Sequence, residues 1–161
     1  LNVTRIIDHK DKAEPIKGLP LVFLLRDYKG KDSNDNSIVT YMQTDQMKAL
    51  FMGDDGTEAE AALLQRYDLA VDVLKVGHHG SDTSSSLSFL HELQPQLALV
   101  SAGRNNRYHH PSTAIMQRLR QENIPALVSA RDGAVSIRFS RYFSYYVSAE
   151  GAIGILHGLW E

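Results

Sequence analysis

Residues 71–81 read VDVLKVGHHGS. Val71, Val73, Leu74 and Val76 form an apolar run too short for a helix and rich in β-branched side chains, which predicts a buried strand closed by Gly77. His78 and His79 stand at its tip. Imidazole is a neutral nitrogen ligand at physiological pH and is readily used to hold zinc or a similar divalent ion. Gly80 and Ser81 then let a substrate approach the backbone. A histidine pair by itself is more often a plain loop pair than a metal site, so the flanking sequence has to decide.

Upstream, 21–25 is expected as a strand and 28–36 (YKGKDSNDN) as a loop rich in Gly, Ser, Asn and Asp. Segments 37–42 and 47–52 flank turn residues and predict a hairpin whose second strand runs into Gly53-Asp54-Asp55-Gly56. The stretch 57–67, TEAEAALLQRY, predicts a helix with Thr57 as cap and Glu60 completing a capping box. Downstream, the serine-rich loop 81–86 leads into a helix carrying Leu87, Leu90 and Leu93, which Pro95 ends. A strand at 97–101, a loop at 103–110 and a helix at 112–122 with Pro111 at its first turn follow. A strand at 126–130, the turn Arg131-Asp132-Gly133 and a strand at 134–139 read as a closing hairpin. The tail 140–161 carries Tyr142, Phe143, Tyr145, Tyr146 and Trp160. It predicts a terminal strand pair that buries its rings.

Strand, hairpin, then alternating helix and strand make an α/β layered fold. The chain has 161 residues, 43% hydrophobic and 22% charged, the balance of one globular domain able to bury a core. Its net charge of −2 does not require a nucleic-acid partner, and does not exclude a local patch that binds phosphate. With no cysteine, disulfides and thiolate metal sites are excluded, leaving His, Asp and Glu as ligands. The longest early apolar run, 19–25, is far short of the ~20 residues a membrane helix needs. The opening residues, His9 among them, read as a solvated mixed-charge loop. They carry neither an initiator methionine nor a signal-peptide pattern, so the chain is expected to be a piece of something longer.

Loops after successive strands of an α/β sheet converge on one edge, where such sheets place their chemistry. Here those loops carry Asp54 and Asp55, then His78 and His79, then His109 and His110. Mixed oxygen and nitrogen ligands suit zinc or manganese, and a bound divalent ion lowers the pKa of its water to ~7. GDDG has two readings: a hairpin-to-helix turn with an acid near a helix start, favourable to the helix dipole, or a carboxylate that can bridge two metals, with the second Asp expected to turn to solvent. The loop RNNRYHHP adds Arg104, Asn106 and Arg107, donors suited to phosphate oxygens, just before a helix start.

Read together, NDNSIV (34–39), FMGDDGTEAE (51–60), DVLKVGHHGSDTSSS (72–86), SAGRNNRYHHP (101–111) and DGAVSIR (132–138) resemble the second half of the metallo-β-lactamase-like domain of ComEC-type competence proteins, membrane channel proteins of DNA internalisation. The resemblance covers about 32–139. It implies an αββα sandwich of which only the second half is present, with 1–30 as lead-in, 31–139 as the half-domain and 140–161 as an aromatic tail. It also implies a metal-dependent phosphodiesterase, a nuclease proposed to degrade the non-imported strand, with two Mn or Zn ions in the intact parent and DNA as partner. The parent would lie in the bacterial cell membrane, this domain on its outer face and joined to the channel portion.

Carried over by position, the resemblance makes Asp54 a metal-bridging, catalytic ligand. It makes one of His78 and His79 a metal ligand, and His110 a ligand, proton donor or phosphate contact. It makes Ser81, Asn36 and Ser37 supports of that set, with Ser81 also near substrate. His109 stands where the family usually has Gly. The superfamily's histidine- and aspartate-rich motif (HxHxDH or HxDxDH) is not among these residues and is expected before Leu1. The chain alone is therefore expected to be inactive or nearly so, and able to self-associate through an exposed sheet edge. The alternatives are a DNA-guiding module without catalysis and a hydrolase of small phosphoesters.

Overall fold

The structure is a computed structural model and describes residues 14–15, 18–24, 34–139 and 143–156. Among these residues ten strands form two sheets. The larger takes β1 (Glu14–Pro15), β2 (Leu21–Leu24), β3 (Val39–Gln43), β4 (Lys48–Phe51), β5 (Val73–Lys75), β6 (Leu97–Val100) and β7 (Ala126–Val128) in chain order. Its first four strands are antiparallel, whereas β4 to β7 are parallel. Parallel neighbours need crossovers, which α1 (Thr57–Arg66), α2 (Leu87–Leu93) and α3 (Thr113–Gln121) supply. After β7 comes a short α4 (Ser129–Asp132), then β8 (Val135–Phe139), β9 (Ser144–Ser148) and β10 (Ile153–Leu156), a separate antiparallel sheet in the order β10-β9-β8.

Alternation along the parallel strands sorts the core into two sides. Leu50, Leu74, Ala98 and Val128 pack with Leu63 of α1, Phe89 and Leu90 of α2, and Ile115 and Leu119 of α3. Their neighbours Ala49, Val73, Leu97 and Leu127 pack instead with Leu156, Ile137 and Tyr146 of the small sheet. The layers are helices, large sheet, small sheet. Both faces of β5 are thus covered, which is why four of the six residues 71–76 are apolar.

Several sequence expectations hold. The β3–β4 hairpin turns on Thr44, whose hydroxyl accepts from Gln46 N and Met47 N at 3.2 and 3.0 Å. The tail supplies the strand pair β9–β10, with Tyr146 packed inward, while Phe143 stays at the surface. Arg141, Tyr142, Trp160, His9 and residues 25–33 lie outside the described residues.

Others are corrected. Arg131-Asp132-Gly133 does not close a hairpin. Asp132 is buried, accepts from Val128 N at 2.6 Å and is gripped by the Arg131 guanidinium, which winds this stretch into α4 and sends β8 to the second sheet. The capping box at Thr57 does not form either. Gly56 precedes α1 with no side-chain bond, and the Glu60 carboxylate reaches away to Ser85 N and Ser86 N. Pro111 lies outside α3, because Ser112 is the cap, its hydroxyl accepting from Ile115 N at 3.3 Å.

Candidate functional site

The C-terminal ends of β4, β5 and β6 lie side by side, so the loops after them share one edge. Gly53, at φ +63°, starts the first loop against Ser37, and the Ser37 hydroxyl accepts from Asp54 N at 3.0 Å. His78 N donates to Gly53 O at 3.0 Å, tying the second loop to the first. His78 and His79 form a single 3-10 turn with φ of 46° and 55°, values that L-residues with a Cβ seldom adopt. The surroundings hold them there. Ser81 N donates to His78 O at 2.9 Å, and the buried Ser84 hydroxyl sits 2.9 Å from Gly77 O and 3.0 Å from Ser81 O. Backbone strain maintained by neighbours is common where side chains must be aimed.

The two histidines are aimed differently. His79 Nδ1 lies 2.8 Å from Ser101 O, and since a carbonyl only accepts, Nδ1 carries the proton. That leaves the Nε2 lone pair facing Asp54 Oδ1 at 3.6 Å. Two acceptors so placed could hold a cation between them. An imidazole whose far nitrogen donates to a carbonyl is also the usual support of a metal-bound histidine. His78 turns the other way, edge-on to His110, with ring centroids 6.1 Å apart and planes at 61°.

His110 Nδ1 is buried and has no hydrogen-bond partner among the described residues. Burial, and then the nearby His78 and His79, hold its pKa below the ordinary imidazole value, with Asp82 opposing. It is neutral at pH 7 and keeps a lone pair. Lys75, at the end of β5, donates to Val76 O at 2.8 Å, and burial lowers its pKa against the pull of Asp54.

Asp55 corrects the sequence reading. Its side chain is buried (1% exposed) instead of solvent-facing, while Asp54 is the half-exposed acid. The turn packs Asp55 beneath Gly77, where a Cβ would come within 2.8 Å of Asp55 O. Asn106 spends its amide inside its loop, donating to Gly103 O at 2.9 Å and His110 O at 2.7 Å and accepting from His110 N at 2.8 Å. Arg104 Nε donates to Ala130 O at 2.9 Å. Arg107 lies over the Tyr108 ring at 4.5 Å and bonds its hydroxyl. Ser81 is buried, its hydroxyl 3.0 Å from that of Thr83, Asn36 is half-buried, and His109 is exposed.

Four residues here have roles that the sequence reading did not give them. Glu60 and Arg118 cage the loop 82–86, the carboxylate accepting from Ser85 N and Ser86 N, and Arg118 Nη1 donating to Asp82 O and Ser84 O at 3.1 and 2.8 Å. Lys75 was visible as a lone charge in an apolar strand. Tyr108 had no signal beyond its place in the loop. Among the described residues no three His, Asp or Glu side chains are gathered closely enough to hold a metal ion by themselves. The pair Asp54 and His79 has the donor chemistry of part of such a set.

The fold and its edge define an α/β protein with a His/Asp site at the ends of parallel strands. No family model matches the chain. It is 39% identical over 107 residues to ComE operon protein 3 of Bacillus subtilis, covering 66% of this chain and 14% of that protein. It is 36% identical over 115 residues to competence protein ComA of Neisseria gonorrhoeae (70% and 17%) and 32% identical over 106 residues to recombination protein 2 of Haemophilus influenzae (66% and 13%). The chain thus spans less than a fifth of the length of these relatives. They point to a competence-related family. No helix among the described residues is long and apolar enough to cross a membrane.

Proposed function

We propose that this chain is the second half of a metallo-β-lactamase-like domain of a DNA-uptake protein, whose complete form hydrolyses phosphodiester bonds of DNA on the outer face of the bacterial membrane. The observation that carries the proposal is the 3.6 Å approach of His79 Nε2 to Asp54 Oδ1, with His79 Nδ1 committed to a carbonyl. Supporting it, one of the relatives is named a competence protein.

Asp54 and His79 would hold a Zn or Mn ion, which when bound supplies hydroxide at neutral pH. His79 is chosen over His78 because its free nitrogen faces the acid, whereas His78 faces His110. His110, in contact with the His78 ring and with its pKa held below the ordinary imidazole value, would accept a proton or hold one for a leaving oxygen. Ser37 fixes the backbone of Asp54, and Ser81 and Ser84 fix that of the histidines.

The test measures Mn and Zn uptake by calorimetry, and cleavage of DNA, for this chain and for a polypeptide lengthened upstream by about one hundred residues, a typical domain's worth. Metal uptake and cleavage by the longer form, both lost in Asp54→Ala, support the proposal. A longer form that takes up no metal and cuts nothing yet retains DNA refutes it. That result favours a DNA-guiding module instead, a role that two ligand side chains alone would also suit.

A further inference from the structure

The loop between β6 and α3 carries an aromatic that neither the core nor the Asp54–His79 pair uses. Tyr108 is 61% exposed, the most exposed aromatic among the large apolar side chains at the described surface. Its ring is nevertheless not free to wander. It stacks on His110, with centroids 5.7 Å apart and planes at 17°, and His110 in turn meets His78 edge-on. Asn106 holds the loop beneath it through the bonds to His110 N and His110 O. Arg107, itself exposed, lies over the ring and brings a planar cation.

A rigidly oriented, solvent-open ring costs hydrophobic burial that a loop could otherwise recover by folding the side chain down. Arg107 is exposed and covers one region of the ring, so a ligand that matches the pair has a planar face to take its place on the ring and an anionic group to pair with the displaced guanidinium. A nucleotide has both. Single-stranded nucleic acids are held by aromatic rings on which bases stack and by arginines that stack on bases or pair with phosphates. Through His110 and His78 the ring is joined to the edge where a phosphodiester would sit.

We propose that Tyr108, with Arg107, is a stacking platform for a base of single-stranded DNA lying next to the phosphodiester at the Asp54–His79 edge. The proposal rests on the hydrolase reading for the location of the strand, but not for the stacking itself. It makes Tyr108 the residue that separates nucleic-acid substrates from small phosphoesters, which have no base to place there.

The experiment follows fluorescence anisotropy of a labelled oligothymidylate and of an abasic oligonucleotide of equal length, titrated with this chain in EDTA. The wild type is expected to bind the thymidylate more tightly than the abasic strand. Tyr108→Ala is expected to weaken thymidylate binding by about tenfold, the scale of one base–aromatic stack, and to leave abasic binding unchanged. Tyr108→Phe, which keeps the ring, is expected to bind as the wild type does. Equal affinity of the wild type for both strands overturns the proposal. So does a Tyr108→Ala variant that loses both strands alike, or one that loses neither. Because the titration needs neither metal nor cleavage, base-dependent binding by this chain, alongside a lengthened form that takes up no metal and cuts nothing, would sink the hydrolase reading and leave the platform standing.

Discussion

Replacing Glu60 tests how the histidine loop is held. The side chain is 1% exposed on α1 and accepts from Ser85 N and Ser86 N, the latter at 2.9 Å. Alanine there leaves two donors in the interior without an acceptor, at about 1–3 kcal/mol each, and removes the countercharge facing Arg118. Against this, the carboxylate's own desolvation is relieved, and that effect is large enough to push the Glu60 pKa up despite the opposing hydrogen bonds. The net expectation is a loss of about 2–4 kcal/mol, a midpoint drop of roughly 5–15 °C for a chain of this size. Glu60→Gln keeps one acceptor and should lose roughly half as much. Urea and thermal denaturation followed by circular dichroism measure both. Glu60→Ala within about 1 kcal/mol of the wild type would show that the cage does not rest on this carboxylate. The pH dependence has a definite sign. With its folded pKa raised, Glu60 contributes stability from its proton equilibrium that is fully present below the unfolded carboxyl value and lost as pH rises through the folded one, so the deficit of Glu60→Ala should be widest in acid.

Two further substitutions probe the neighbouring geometry. Gly80 sits at φ +84°, and a Cβ there would lie 2.7 Å from Pro111 Cβ and 3.1 Å from Val100 Cγ1, so Gly80→Ala should cost about 2–3 kcal/mol and weaken any metal uptake at His79; an unchanged denaturation midpoint would contradict this. Hydrogen bonding from Arg131 holds the Asp132 pKa below the usual carboxylate range, so its contribution is present above the unfolded value and lost as pH falls through the depressed one. Asp132→Asn should therefore lose about 1–2 kcal/mol at neutral pH and flatten the acid limb of the stability profile, and an acid limb identical to the wild type's would argue against it.

Much of the scaffold was legible from local pattern. An apolar run rich in β-branched residues and ended by Gly77 marked β5, a short apolar run marked β6, Ala- and Leu-rich stretches marked α1 and α2, and Pro111 marked the start of α3. Their alternation required parallel strands, and parallel strands put Asp54, His78 and His110 at one edge. These features are written in neighbouring residues, because periodicity and turn chemistry depend on the backbone a few positions away.

What the tertiary structure alone decided was the choice among local possibilities. In GDDG both acids are chemically alike, and only the folded turn, whose Asp55 backbone lies against Gly77, buries Asp55 and leaves Asp54 facing His79. His78 and His79 are adjacent, and only the Ser101 carbonyl, brought in by β6, tells them apart. Glu60 has the spacing of a capping box, yet the serine loop 25 positions on offers two buried donors, and a buried carboxylate goes where donors are otherwise unmet. Arg131-Asp132-Gly133 has the residues of a hairpin turn. The sheet to which β8 belongs was settled by the apolar side of Val73 and Leu97, which needed Ile137 and Leu156 to cover it. Partners distant in sequence are selected by burial and unmet hydrogen bonds, and neither exists until the chain has closed on itself.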